Sequence, residues 1–155
     1  MAFCFRITGL MSGSSLDGVD LACCEFSRGN KIWDYKIVAA DTLPYPADLK
    51  AKLEEACFQS MDQIRDLDLH LGKFYGNLLN EFHGKYNLLP ALISSHGHTI
   101  LHEPHRGITL QAGSGKEISK EGRTGIEALG TVPGIWSLDP RISGSALSRG
   151  LGATL

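Results

Sequence analysis

The sequence predicts an α/β fold in which helices cover a mixed sheet, in the order β-β-β-α-α-β with one further strand-like segment. Three observations predict it. Residues 3–8 and 19–26 alternate with period two and residues 32–40 are rich in Ile, Val, Trp and Tyr; the spacing then becomes helical through residue 86; a short apolar run returns at residues 91–95. The chain has 155 residues, 43% hydrophobic and 21% charged, with a formal net charge of -2. That length holds one real core and not comfortably two. Charges of both signs mix along it, so no basic stripe points to nucleic acid. No apolar run approaches the roughly 20 residues that cross a bilayer, and no signal peptide precedes the first strand. Neither a membrane nor nucleic acid is an expected partner.

Each element has its own signal. In residues 3–8, Phe3, Phe5 and Ile7 point one way and Cys4, Arg6 and Thr8 the other. Residues 19–26 carry Val19, Leu21 and Cys23 on one side, and Arg28-Gly29-Asn30 marks a turn into a third strand over residues 32–40. Short turns make these an antiparallel meander. Pro46 suits a first helical turn, with Leu49, Leu53, Ala56 and Cys57 at helical spacing. Ser60 with Gln63 forms a capping-box pattern that opens a longer helix to about Tyr86. Its stripe is Ile64, Leu67, Leu71, Phe74, Tyr75, Leu78 and Phe82. Gly72 and Gly76, each costing about 1 kcal/mol against alanine, are expected to let that helix lie close to the sheet. Residues 91–95 read as a buried strand and 107–112 as a short one. Residues 126–155 hold Pro133 and Pro140 without a sustained period, and are expected to be loop-like or poorly ordered.

Glycine is uneven along the chain, with 8 of 18 in residues 1–106 and 10 in residues 107–155, so the end is poor in packable side chains. Cys4, Cys23, Cys24 and Cys57 contain no C-x-x-C, which predicts buried apolar roles in a reducing compartment, by default the cytoplasm.

Three segments can carry chemistry. The first, Gly9-Leu10-Met11-Ser12-Gly13-Ser14-Ser15-Leu16-Asp17-Gly18-Val19-Asp20, spans the turn between the first two strands. Glycines there let backbone N–H groups converge on an anion such as phosphate, and the serines add hydroxyl donors. Asp17 and Asp20 beside a phosphate require a cation, ordinarily Mg²⁺ held directly or through water. No Gly-Lys-Ser/Thr follows, so this is not a Walker loop. The same residue types also serve as plain turn formers in a long hairpin loop. The second segment, Ser94-Ser95-His96-Gly97-His98-Thr99, ends a strand, where open α/β sheets place ligands. His102 and His105 follow, yet an extended segment with no cysteine fixes no zinc geometry. Hydrogen bonding to a polar substrate, or a plain loop role, is the stronger reading, ahead of a His-cluster metal hydrolase. The third segment is Gly107-Ile108-Thr109-Leu110-Gln111-Ala112-Gly113.

These segments resemble, in order and spacing over about residues 5–126, three motifs of the anhydro-N-acetylmuramic acid kinases. The first resembles that family's signature loop, with Ser14 where threonine is usual. The second, with His102 beyond it, resembles the next motif, and Thr109-Leu110-Gln111 the third. The resemblance implies the first lobe of the sugar-kinase and actin superfamily fold, ribonuclease-H-like, where two α/β lobes enclose a nucleotide cleft. It implies ATP and Mg²⁺ as cofactors and conversion of 1,6-anhydro-N-acetylmuramic acid to its 6-phosphate in cell-wall recycling. In such kinases an aspartate activates the water that opens the anhydro bridge, and the released 6-oxygen takes the γ-phosphoryl group. Matched residue by residue, Gly13, Ser14, Ser15, Leu16, Asp17, Gly18, Val19 and Asp20 would meet the ATP phosphates, with Asp17 toward Mg²⁺. His96, Gly97 and Thr99 would line the sugar side.

The match loosens after Gln111. Gly113-Ser114 stands where the family commonly has Gly-Asp. Gly134-Ile135-Trp136-Ser137-Leu138-Asp139 and the closing Arg149-Gly150-Leu151-Gly152-Ala153-Thr154-Leu155 lack the later family motifs, Asp-Phe-Arg and Gly-Gly-Gln-Gly-Ala-Pro-Leu. Asp139 is the nearest candidate for the catalytic base. The resulting expectation is an N-terminal lobe over residues 1–125, a divergent tail over 126–155 from a truncated or frame-shifted gene, no second lobe, and no turnover by this chain alone. The alternative is a noncatalytic module that binds phosphate, nucleotide or sugar. With the face toward a second lobe exposed, self-association as a homodimer is expected.

Overall fold

The computed structural model describes residues 3–29, 32–122, 127–128 and 135–137. β1 (Phe3–Ser12), β2 (Val19–Gly29) and β3 (Ile32–Leu43) form the antiparallel meander. Helix α1 (Ala47–Glu54), a 3₁₀ turn (Ala56–Phe58) and helix α2 (Met61–Tyr86) follow. Strand β4 (Leu92–Glu103) returns parallel to β1, and a second 3₁₀ turn (Pro104–Arg106) leads to β5 (Ile108–Ala112), antiparallel to β4. Helix α3 (Gly115–Glu121) and the short strands β6 (Glu127–Ala128) and β7 (Ile135–Ser137) complete the described chain. The sheet order is β3-β2-β1-β4-β7-β6, with β5 also on β4. This is the mixed α/β architecture that the periodicity predicts.

The covered face of the sheet comes from alternation. Thr8, Leu10 and Ser12 on β1, and Val19, Leu21 and Cys23 on β2, are buried at 3% exposure or less. Leu10, Val19, Leu21 and Cys23 join Leu49 and Leu53 of α1 and Leu67, Leu71, Tyr75, Leu78, Leu79 and Phe82 of α2 in one core. Each such leucine contributes about 1.5–3 kcal/mol relative to an exposed one. The capping box is formed as its sequence predicts: Gln63 N–H donates to Ser60 Oγ, and Ser60 N–H to Gln63 Oε1 at 2.9 Å. Asn87, left-handed at φ 51°, ends α2.

Several local expectations change. Pro46 is the N-cap of α1 rather than a first-turn residue, and the helix stops at Glu54. The following 3₁₀ turn buries Ala56 and leaves Cys57 exposed. Cys4 is exposed too, so only Cys23 is fully buried and Cys24 half-buried. Gly72 and Gly76 face α3, not the sheet. A Cβ on Gly72 would lie 2.5 Å from Ser114 O, and one on Gly76 2.7 Å from Glu121 Cβ. Helix α3 has seven residues and no apolar period to betray it. Within the tail, only β6 and β7 belong to the described residues, and β7 pairs with Leu92, Ile93 and Ser94 of β4.

Candidate functional site

The face of the sheet opposite the helices is where the motif residues collect. On β1 it presents Gly9 and Met11, on β2 Asp20 and Ala22, on β4 Ser94 and His96, and on β5 Gln111. These line a cleft of about 570 Å³. A second cleft, about 560 Å³, continues from Met11 to Ser12, Gly13 and Ser14 on one side and to Thr99, His102, Thr109 and Gln111 on the other. Met11, His96 and Gln111 line both, so the three motifs share one open surface. Missing side-chain bulk is what shapes it: Gly9 carries no side chain at the centre of the trough.

The turn over residues 13–18 has a buried anchor and an exposed crest. Leu16 N–H donates to Gly13 O at 3.2 Å, and Leu16 adopts φ 53° with its side chain in the core at 7% exposure. A left-handed leucine is strained by about 1–2 kcal/mol, and burial of its side chain holds it there. Gly18 lies against β3, where a Cβ would meet Thr42 Cγ2 at 2.7 Å. Val19 is wholly buried. Of the eight loop residues read from sequence, Leu16, Gly18 and Val19 therefore fix the loop, whereas Ser14, Ser15, Asp17 and Asp20 are exposed. Ser15 Oγ donates to Asp17 Oδ1 at 2.7 Å, and that bond holds the Asp17 carboxyl below the usual range, so it is ionised at neutral pH. Thr42 Oγ1 donates to Asp20 Oδ1 at 2.6 Å.

On β4 a single irregularity sorts the histidines. Leu10 pairs with Ser95 and Ser12 with His98, so β4 carries one residue more than β1 across this stretch. Gly97 takes up the difference at φ 70°, where a Cβ would lie 2.7 Å from Ala112 O. In consequence Ser95 and His98 both face the core while His96 is exposed to the cleft. Gln111 Nε2 lies 3.3 Å from His96 Nε2 and 3.4 Å from Thr99 Oγ1, tying two of the predicted residues together. His102 Nδ1 bonds Thr109 Oγ1 at 3.0 Å. Among the described residues no three His, Cys, Asp or Glu side chains converge as a metal site, so the four clustered histidines do not form one. Asp139 lies outside the described residues.

Sequence reading missed what lies beneath. Tyr75 OH is 3.1 Å from Tyr45 OH, Tyr45 OH donates to Ser12 Oγ, and Ser12 Oγ is 2.8 Å from His98 Nδ1. Burial lowers the His98 pKa and raises those of both tyrosines, so the whole chain is neutral. It clamps the end of β1, just before the loop, to β4 and α2. Asp68 was missed as well. Its Oδ1 accepts from Gly113 N–H at 2.8 Å, fixing the turn after β5 beside a third cavity of about 160 Å³ that His96 and Gln111 also line. Burial raises its pKa against that bond. The available signal was a carboxylate inside the stripe of Ile64, Leu67, Leu71 and Tyr75.

Comparison with known proteins joins this geometry to a family. The family model described as anhydro-N-acetylmuramic acid kinase matches residues 5–133. A protein of that name from Acaryochloris marina is 33% identical over 130 residues, covering 80% of this chain and 34% of the relative. Another from Pseudoalteromonas translucida is 31% identical over 138 residues, covering 80% and 34%. One from Shewanella frigidimarina is 35% identical over 121 residues, covering 73% and 32%. The chain thus spans about a third of the length of these relatives. All three are named as kinases, which lends no support to the noncatalytic-module alternative. The mixed sheet with its leading meander is that of the N-terminal lobe of a sugar-kinase and actin-like fold, and the chain belongs to the anhydro-N-acetylmuramic acid kinase family.

Proposed function

We propose that this chain provides the phosphate- and sugar-facing lobe of an ATP-dependent kinase that converts 1,6-anhydro-N-acetylmuramic acid to N-acetylmuramic acid 6-phosphate. The observation that carries the reading is that the loop of Gly13 and Ser14 and the side chains of His96, Thr99 and Gln111 line one cleft. Ser14 offers an exposed hydroxyl donor to phosphate oxygens, Ser15 holds the Asp17 carboxylate through its own hydroxyl, and backbone N–H groups of the turn add further donors. A single ionised carboxylate at the crest, Asp17, fits a Mg²⁺ that takes its remaining ligands from phosphate and water rather than from a protein cage. Mg²⁺ bound there would offset charge on the transferring phosphoryl group. His96 and Thr99, joined through Gln111, present donors and acceptors to sugar hydroxyls across the same cleft. Asp139 is the proposed water-activating base. No helix among the described residues is long and apolar enough to cross a membrane, and a cytoplasmic setting fits free thiols at Cys4 and Cys57.

NMR titration of the isotope-labelled chain tests the reading. Mg·ATP is expected to shift the amides of Gly13, Ser14, Ser15 and Asp17, and the anhydro sugar those of His96, Thr99 and Gln111. The Ser14→Ala, Asp17→Ala double variant is expected to lose the nucleotide response and keep the sugar response. Shifts by either ligand confined to the helical face, or an unchanged nucleotide affinity in the double variant, would overturn the assignment.

A further inference from the structure

Asp68 interrupts the apolar stripe of α2, a half-buried carboxyl between Leu67 and Leu71. Burial raises its pKa, and among the described residues its carboxyl has one hydrogen-bond partner, Gly113 N–H, at 2.8 Å. A leucine there would extend the stripe, whereas a carboxyl taken partly out of water weakens the packing. Folds break a local rule in this way where a site requires it.

The bond is one end of a double hold. Asp68 O accepts from Ser114 N–H at 3.0 Å, so the turn after β5 is fastened to α2 at two successive amides. Gly72 gives that turn its room, since a Cβ there would meet Ser114 O at 2.5 Å and Ser114 Cβ at 3.1 Å. Gly113, at φ 121°, lies in turn against the bulge of β4. Its Cβ would stand 3.4 Å from Gly97 Cα, and one on Gly97 would stand 2.7 Å from Ala112 O. Gly97 is the residue that leaves His96 in the cleft. Gln111, two residues before Gly113, reaches both His96 and Thr99.

We propose that Asp68 is a positioning residue for the sugar-facing side of the cleft: it holds Gly113 against Gly97 and so sets where His96, Thr99 and Gln111 stand. Its oxygen acts through the backbone, so the role requires an acceptor and not a charge. The nucleotide side lies outside the hold, because Leu16 is anchored in the core and Gly18 against β3. Tyr75, which Gly113 also abuts, is wholly buried, so loss of the hold frees the turn and not the ring. The inference rests on the sugar-side reading of His96, Thr99 and Gln111.

Calorimetric titration of the intact chain with 1,6-anhydro-N-acetylmuramic acid and, separately, with Mg·ATP is the test, with circular dichroism reporting the fold. Asp68→Leu extends the apolar stripe, so it secures the helix while removing the acceptor. It is expected to raise the dissociation constant for the sugar about tenfold or more and to leave that for Mg·ATP within about threefold of the parent. Asp68→Asn keeps an oxygen for Gly113 N–H and is expected to bind the sugar within about threefold of the parent. In NMR spectra of the ligand-free Asp68→Leu chain, the amides of Gly113, His96 and Gln111 are expected to shift and that of Gly113 to exchange faster, while those of Gly13 and Ser14 stay in place. A parent chain that binds no sugar would overturn the sugar-side reading and this inference with it. Where the parent binds, an Asp68→Leu constant equal to the parent's, an Asp68→Asn chain as weak as Asp68→Leu, or equal losses for sugar and nucleotide would overturn the inference alone.

Discussion

The two faces of the sheet are made from the same strands and do opposite things. On the helical side, Leu10, Leu21, Cys23 and Ile93 are 3%, 1%, 0% and 0% exposed and meet the stripes of α1 and α2. On the other side, Met11, Trp33, Tyr35 and Ile37 are all more than half exposed, beside residues chosen for small size or hydrogen bonding: Gly9, Ala22, Ser94, His96 and Gln111. The difference teaches that stability and recognition are divided by strand parity. One residue of register decides which task a side chain performs, and the bulge at Gly97 uses that rule to send His98 into the core and leave His96 in the cleft.

The sharpest way to break this division is to truncate a large side chain on each face. Leu21→Ala leaves a cavity beneath α2 and is expected to cost about 2–5 kcal/mol. Trp33→Ala is expected to cost no more than about 0.5–1 kcal/mol, because a side chain already half in water has little burial to lose. Urea denaturation of both variants measures it. Equal losses would mean that the open face is covered in solution.

A smaller effect separates two glycines of α2. At Gly72 an alanine Cβ would sit 2.5 Å from Ser114 O and 3.0 Å from Glu117 Cβ, so α3 must move. The expected loss is about 1–3 kcal/mol, together with displacement of Gly113, whose N–H is held by Asp68. At Gly84 nothing lies within 4 Å, and alanine is expected to stabilise by about 0.4–1 kcal/mol through helix propensity. Thermal unfolding of the two variants should shift in opposite directions. A shared sign would remove the close α2–α3 approach as the reason for Gly72.

Much of this was legible in the chain because strong periodicity reports burial directly. The alternation of Val19, Leu21 and Cys23, the α2 stripe and the Ser60–Gln63 box each reappear as predicted. Helix α3 did not, since Gly-Lys-Glu-Ile-Ser-Lys-Glu holds one buried apolar residue, Ile118, and takes its position from contact with α2. For the same reason Gly72 and Gly76 were legible as points of close approach but assigned to the wrong neighbour. At the site, Ser14, Asp17, His96, Thr99 and Gln111 could be picked out by residue type and motif. The links from Tyr75 through Tyr45 and Ser12 to His98 could not, because they join residues 30 to 86 positions apart and depend on a bulge that no local pattern announces.

The gentlest test of the division is pH, because two histidines sit on the covered face. His83 is 7% exposed; its Nε2 is 2.9 Å from Thr8 Oγ1, and its Nδ1 has no hydrogen-bond partner among the described residues. His98 is 4% exposed against Ser12. Burial lowers the pKa of each below its ordinary value near 6.5. Above that value both are neutral folded or unfolded, and stability is fully present. As pH falls below it, the unfolded chain takes up protons that the folded chain refuses, and stability declines by up to about 1.4 kcal/mol per pH unit for each histidine. Carboxylates with lowered pKa, Asp17, Asp41 and Glu117, act only further into acid, and Asp68, raised by burial, acts in the sense opposite to both them and the histidines. In the window from about pH 6.5 to 5 the histidines are the groups that lower stability. Urea midpoints across that window should fall with pH in the parent chain and fall less steeply in His83→Gln. A flat profile in the parent would show that both rings reach water, and the covered face would then be less closed than its packing indicates.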